Sequence, residues 1–398
     1  MSCGPIHGIK VADMTQMLAG PVATQMLGDL GAEVIKVEPH GGERARGGAD
    51  DPPRWLFLGR NRNKRSIVID LKQPEGLEVM RRLVRQSDVF VHNQRPAAVK
   101  RLGLAYDDLR QLNERLVYAS ASGYGDRGAL SDLPGQDMQL QAFSGLAGIN
   151  GYEDDPRPSP PAGAAVVDST TGVLIAFGVM AALYELEKTG RAQEVKTSLL
   201  GGALLLQENS FGPYLATGKL PAKAGNGHPG SAPPYGIWRA ADGKELGVSA
   251  GVGPEVWPNF CNVIDRPQLI DDPRFATAEA RVTNRVELFE CVNKAMAARP
   301  RDEWVRLIRE TGIWAAPVSS YDDLAASTQL EDNDLLIDNN YPSAGEFRSL
   351  NTPISLSNSK TAVRRPPPGL GEHTREVLTE LGYATAEIDS MYRTNVVA

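Results

Sequence analysis

One aspartate and one group of basic residues stand out in this 398-residue chain as side chains whose type and placement could do chemistry. Asp168 lies in Ala164-Ala165-Val166-Val167-Asp168-Ser169, between small apolar residues and the start of a long apolar helical pattern. An aspartate there can cap the helix by accepting a hydrogen bond from an exposed N–H. The same helix end favours the ionised carboxylate, which is the form able to attack an electrophile. Residue type alone leaves both roles open. The basic group is Arg54, Arg60, Arg62, Lys64 and Arg65, followed by Lys72, Arg95 and Arg101, with Asn93 beside Arg95. In an open α/β sheet ligands bind beyond the carboxyl ends of the strands, where these residues could converge on a polyphosphate. The alternative is a solvated basic face paired with Asp50, Asp51 or Asp70.

Other chemistries lack their residues. A dinucleotide fingerprint needs G-x-G-x-x-G after the first strand, but the turn reads Leu18-Ala19-Gly20-Pro21-Val22-Ala23. Glu38 ends the second strand, where such a fold would hold a ribose, yet the glycine turn is missing. There is no G-x-x-x-x-G-K-[ST] loop and no G-x-S-x-G elbow. His7, His40, His92, His228 and His373 are too dispersed for a zincin pattern, so no metal site is expected. Cys3, Cys261 and Cys291 form no Cys-x-x-Cys pair, which fits a reduced, cytoplasmic setting.

These residues need a scaffold, and the chain supplies one. With 41% hydrophobic and 23% charged residues it reads as globular, and its length suits two or three domains. A net charge of -7 lacks the positive field that non-specific nucleic-acid binding requires. The longest uncharged apolar stretch, 169–184, is shorter than the ~20 residues of a membrane span and reads as a core helix. No secretory leader is visible in the first residues.

Short β-branched runs at 9–14, 33–38, 66–71, 88–92 and 116–120 alternate with helical patterns, the signature of βαβ units. The expected fold class is α/β, with a doubly wound, Rossmann-like parallel sheet in a large domain. Helices are expected at 21–30, 74–86, 136–148, 169–188 and 373–381. The large domain would begin with residues 1–210. A Gly/Pro-rich linker follows at 211–234, then a smaller α+β domain at 235–325, and 326–398 returns to the large domain. In the small domain Leu288, Phe289, Val292 and Met296, then Trp304, Leu307 and Ile308, are spaced for one buried face.

Taken in order, several stretches resemble the class III coenzyme A transferases, the family of formyl-CoA transferase and the carnitine CoA-transferases. Leu18-Ala19-Gly20-Pro21 and the run from Gln25 through Gly31-Ala32-Glu33-Val34-Ile35-Lys36-Val37-Glu38 look like the family's opening strand, helix and strand. Asn63-Lys64-Arg65-Ser66-Ile67, Asp70-Leu71-Lys72, Asn93-Gln94-Arg95-Pro96 and Pro366-Pro367-Pro368-Gly369-Leu370-Gly371-Glu372-His373-Thr374 match further landmarks. The resemblance implies that Asp168 is the catalytic nucleophile of CoA transfer from an acyl-CoA to a carboxylic acid, through an aspartyl anhydride and an aspartyl-CoA thioester. It implies Ala19 and Ile69 beside the adenine, Lys72 and Arg101 near the phosphates, and Asn93, Gln94, Leu102 and Tyr124 along the same cleft. A glycine loop of the small domain is matched by Ser249-Ala250-Gly251-Val252-Gly253, which makes Gly251 and Gly253 its candidates on the acyl side.

The resemblance further implies no metal or redox cofactor, small-molecule partners only, and an interlocked homodimer with the small domain inserted in the large one. This chain departs from formyl-CoA transferase at Leu18, Pro39 and Ser122, where that enzyme has glutamine, arginine and lysine, so oxalate and formate chemistry does not carry over. Arg44 or Arg46 is the candidate for the missing cation. The alternatives are an α-methylacyl-CoA racemase of the same fold and a non-catalytic subunit of a hetero-oligomeric transferase. The racemase would need a histidine where Gln136 stands, and glutamine is no general base.

Overall fold

The alternating runs of the first half of the chain form one parallel sheet in the computed structural model, which describes residues 4–47, 53–153, 155–228, 231–249, 253–341, 344–359 and 361–398. In chain order the elements are β1 (Lys10–Met14), α1 (Ala19–Asp29), β2 (Glu33–Glu38), α2 (Trp55–Leu58), β3 (Lys64–Val68), α3 (Pro74–Arg85) and β4 (Val89–His92). Then come α4 (Pro96–Arg101), α5 (Tyr106–Leu109), β5 (Val117–Ser122), α6 (Asp137–Phe143), α7 (Val166–Thr189), β6 (Glu194–Ser198) and α8 (Leu199–Leu206). The six strands pair in parallel in the order β3-β2-β1-β4-β5-β6. This is the doubly wound sheet expected from the sequence. The sixth strand escapes that expectation because it lies at the sheet edge and none of its residues is fully buried.

Strand order reverses between β1 and β4, so the loops leaving their carboxyl ends open the crevice where such sheets bind ligands. The face that α7 turns inward is set by Val167, Thr171, Ile175, Val179, Ala182 and Leu186, spaced three or four apart. Gly172 permits the approach to α1: a Cβ there would lie 2.7 Å from the Ala19 carbonyl oxygen. By length and composition α7 could cross a membrane, being 24 residues long, but here it packs against α1, α8, β5 and β6.

The chain divides into two compact units, unit 1 comprising 1–144, 162–206 and 329–398, and unit 2 comprising 145–161 and 207–328. Unit 2 contains α9 (Glu208–Thr217), β7 (Gly236–Arg239), β8 (Glu245–Ser249), α10 (Val256–Val263), α11 (Ala278–Thr283), α12 (Arg285–Met296), α13 (Arg301–Glu310) and β9 (Trp314–Pro317). Its three strands form an antiparallel sheet over a core that includes Trp238, Phe260, Leu288, Val292, Trp304 and Ile308. Two boundaries differ from the sequence reading. Residues 145–161 join unit 2 because Tyr152 bridges Ala224 and the Lys223 N–H donates to Glu153. The expected linker begins inside α9, whose Pro213 reads as a breaker but is accommodated within the helix.

Unit 2 ends with α14 (Tyr321–Ala325), and the last segment of unit 1 starts within α15 (Thr328–Asp332) and continues to the β10 (Leu336–Tyr341) and β11 (Gly345–Leu350) hairpin. It ends in α16 (Thr374–Glu380) and α17 (Thr385–Arg393), and their Val377, Leu378, Ile388 and Met391 join the core around Ile67 and Phe90.

Candidate active site

Asp168 sits in the first turn of α7, three residues after the N-cap position Ala165. Its side chain does not cap the helix. The capping oxygen comes from the first residue of α6: Asp137 Oδ2 accepts the backbone N–H of Asp168 at 2.9 Å. Gln141, one turn further along α6, donates to Asp137 Oδ1 at 2.5 Å and accepts the Ala162 N–H at 2.8 Å, so α6 holds both ends of the segment leading into α7. Close contact of Gly123 with Gly135 brings the loop after β5 against the loop before α6, where a Cβ on Gly123 would lie 2.8 Å from Gly135 Cα.

The Asp168 carboxylate is left without a hydrogen bond among the described residues. Burial, followed by the negative charge of Asp137, pushes its carboxyl up from the ordinary 3.8 to about 6, and the Arg60 guanidinium partly opposes them. An ionised oxygen with free lone pairs in a partly dry setting is a competent nucleophile. Asp137 and Arg60 are the functional neighbours that pattern reading did not assign to Asp168. The available signal was the Asp137 and Gln141 spacing of four, which puts both on one helix face.

At the reversal of strand order, the loop after β1 is clasped by the loop after β4. Asn93 Oδ1 accepts the Gln16 N–H at 2.9 Å, and Asn93 Nδ2 donates to the Gln16 carbonyl at 2.8 Å. Gln94 follows: its N–H donates to His92 Nδ1 at 3.2 Å, and its Oε1 accepts from Gln16 Nε2 at 3.4 Å. With Nδ1 accepting, Nε2 carries the proton and donates to Tyr118 Oη at 2.7 Å, and Tyr118 donates to the Leu104 carbonyl at 3.2 Å. Burial pushes His92 down to about 4, which keeps this chain neutral.

Beneath the same loop lies a set of buried charges. Lys36 donates to the Thr15 carbonyl and pairs with Glu43 at 3.1 Å, and Lys64 pairs with Asp13 at 3.0 Å. Glu43 Oε2 accepts the N–H of Met17, held at a left-handed φ of 67°.

The structure brings part of the expected set together. Ala19 opens α1 at the Asn93 and Gln94 loop, and its contact with Gly172 falls one helical turn after Asp168. Tyr124, after β5, meets Phe143 of α6 edge to face at 5.1 Å. Lys72 and Arg101 are exposed, and Leu102 packs partly against the core. Ile69 is 1% exposed and bridges Val397, so its side chain belongs to the core under the C-terminal tail. Gly253 has a φ of 132° and borders a hollow of about 640 Å³ in unit 2, with Ser249, Trp257 and Trp314, whereas Gly251 lies outside the described residues.

Three members of the basic group are neither phosphate ligands nor a solvated face. Arg62 forks onto Asp29, Lys64 is fully buried on Asp13, and Arg65 pairs with Glu33, Glu376 and Glu380. These residues tie α1, β1 and the returning tail together, because carboxylates distant in sequence reach them before solvent does. Arg46 is likewise committed to Glu38 at 2.7 Å and to the Pro368 carbonyl, so it does not supply the missing cation. Among the described residues no cluster of three or more His, Cys, Asp or Glu is placed to hold a metal ion.

Residues 6–374 match CoA-transferase family III. The chain is 33% identical over 407 residues to succinyl-CoA:glutarate CoA-transferase of Mus musculus, which covers 100% of this chain and 91% of that one. It is 34% identical over 409 residues to formyl-CoA:oxalate CoA-transferase of Streptomyces avermitilis, covering 98% and 99% of the two. Among solved structures, a CAIB/BAIF family protein from Brucella suis aligns with a TM-score of 0.83 at 30% identity, over 96% of this chain and 100% of that one. The fold and these matches define an α/β enzyme. The chain belongs to CoA-transferase family III.

Proposed function

We propose that this enzyme moves coenzyme A from an acyl-CoA to a carboxylic acid with Asp168 as the covalent nucleophile. The observation that carries the reading is the Asp168 carboxylate, free of hydrogen bonds among the described residues while its backbone is capped by Asp137. One carboxylate oxygen attacks the acyl carbonyl, the C–S bond breaks, and CoA leaves as thiolate from a mixed anhydride. The thiolate attacks Cγ of Asp168 and releases the donor acid, leaving an aspartyl-CoA thioester. The acceptor carboxylate attacks that Cγ, CoA leaves again, and its thiolate takes the acyl group from the second anhydride. Each acyl bond is exchanged for another of similar energy, so the sequence calls on no metal or redox cofactor. The loop clasped by Asn93, with Ala19 and Gln94, is the proposed CoA-binding edge. The racemase alternative lacks support, because its base position is the exposed Gln136.

The test mixes the protein with succinyl-CoA or acetyl-CoA and a panel of acids and identifies new thioesters by mass spectrometry. Exchange together with a hydroxylamine-sensitive adduct on Asp168 is expected; full turnover by Asp168→Ala would remove the reading.

A homodimer, interlocked as the family resemblance implies, is part of this proposal. It is supported by an apolar strip of α7, where Val173, Phe177 and Tyr184 are 49%, 72% and 67% exposed. Light scattering at micromolar concentration should give a dimer mass, and a monomer counts against it. A cytoplasmic setting is proposed from the free Cys261 and Cys291.

A further inference from the structure

The segment after α2 holds a cation that forms no ion pair with any described residue. Gln25 of α1 pins that segment on both sides of Arg60, donating to the Gly59 carbonyl and accepting the Arg62 N–H, each at 3.2 Å. Asn61 is fixed in turn by the Phe57 carbonyl and Lys64. Between these anchors the Arg60 guanidinium makes no hydrogen bond or ion pair among the described residues, and its Nε is buried without a partner there. The carboxylate it interacts with through space is Asp168, which is equally unpaired. Opposite charges in one neighbourhood normally close into an ion pair. Here they do not, and both backbones are held, one by Gln25 and the other by Asp137.

An arginine withdrawn from water without a partner is unfavourable until an anion reaches it. Its planar fork suits a carboxylate, and unlike lysine it stays charged on burial. We propose that Arg60 binds the carboxylate of the acid substrate and presents it to Asp168, an inference that rests on reading Asp168 as the nucleophile. The acid then arrives as an anion already oriented toward the aspartyl carbonyl, and the released donor acid leaves from the same contact. Arg62, Lys64, Arg65 and Arg46 are all engaged by carboxylates of the protein, whereas Arg60 keeps a buried Nε without a partner among the described residues.

Arg60→Gln and Arg60→Lys test the assignment. Because Arg60 pairs with none of the described residues, both variants should fold. In Arg60→Gln the KM for the acid should rise about 10- to 100-fold for mono- and dicarboxylic acids alike, with the KM for acyl-CoA unchanged. The Asp168 adduct should still form from acyl-CoA alone, and Arg60→Lys should recover part of the acid affinity. Loss of a cation that favours ionised Asp168 should also move the acid limb of kcat/KM to higher pH. An unchanged acid KM, an equal rise in the acyl-CoA KM, or a loss confined to dicarboxylic acids would overturn the proposal. If the wild-type protein transfers no CoA and forms no adduct, the nucleophile reading fails separately. Propionate binding followed by ligand-detected NMR then still decides on Arg60: weaker binding to Arg60→Gln supports it, and equal binding sinks it.

Discussion

Asp137 accepts the backbone N–H of Asp168 at 2.9 Å, so the helix-capping oxygen and the free carboxylate at the start of α7 belong to two different residues. A cap ties up its own side chain, and the nucleophile proposed for this position must keep its lone pairs. With the cap supplied from α6, the Asp168 carboxylate on α7 is left free for that proposed role. It also sets two carboxylates close together, and their repulsion adds to the effect of burial on Asp168.

Asp168→Asn should reduce CoA transfer by at least about 10³-fold while making the fold more stable. With its carboxyl at about 6 instead of 3.8, the native state binds the proton more tightly than the unfolded chain. Stability therefore falls as pH rises from about 4 to 6, and above that window the ionised group costs about 1–3 kcal/mol, discounted for partial exposure. Urea denaturation at pH 7.5 should show that gain in the variant, shrinking toward pH 4. A variant no more stable than wild type at pH 7.5 would contradict the burial argument.

The wild-type kcat/KM should fall about tenfold per pH unit below 6 as Asp168 takes up its proton. Asp137→Asn keeps an oxygen for the Asp168 N–H but removes the charge, so the limb should move to lower pH. Asp137→Ala loses the cap as well and should cost about 1 kcal/mol of stability. A pH–rate profile identical in wild type and Asp137→Asn would dismiss the electrostatic link.

Asn93→Ala removes both hydrogen bonds to Gln16 and leaves a partly buried N–H and C=O to find water. The expected loss is about 1–3 kcal/mol of stability, with CoA binding at least about tenfold weaker. Calorimetric titration with CoA measures the second effect, and undiminished affinity would move the CoA edge away from this loop.

His92 is held neutral by burial, at about 4 against 6.5 for a free imidazole. The unfolded chain therefore takes up the proton first. Stability is unaffected above pH 6.5 and is lost as pH falls from 6.5 to 4, by up to about 3 kcal/mol. His92→Gln should show a shallower decline over that window in denaturation midpoints, and an equal slope would exclude His92 as its source.

The strand and helix alternation of unit 1 was legible because each element is a local pattern: a β-branched run, a proline at a first helical turn, an apolar face repeating every three or four residues. The same locality placed Asp168 at the head of a long helix. Composition misled where a local signal was overridden, as with Pro213 inside α9, and fell silent where an edge strand buries little, as with β6. What those residues do was decided at longer range. Arg62, Lys64 and Arg65 look like ligands in a run of basic residues, but the fold brings Asp29, Asp13 and Glu376 to them, and a buried charge must be met by its opposite. Asn93 and Gln16 are 77 residues apart, and Asp137 and Asp168 are 31 apart. Amino-acid order alone thus specified the elements and put Asp168 at the head of a long helix, because those depend on neighbouring residues. Which charges are satisfied and which stay free, as Arg60 and Asp168 do, was settled only by tertiary packing, because hydrogen bonds and ion pairs form between atoms that meet in space.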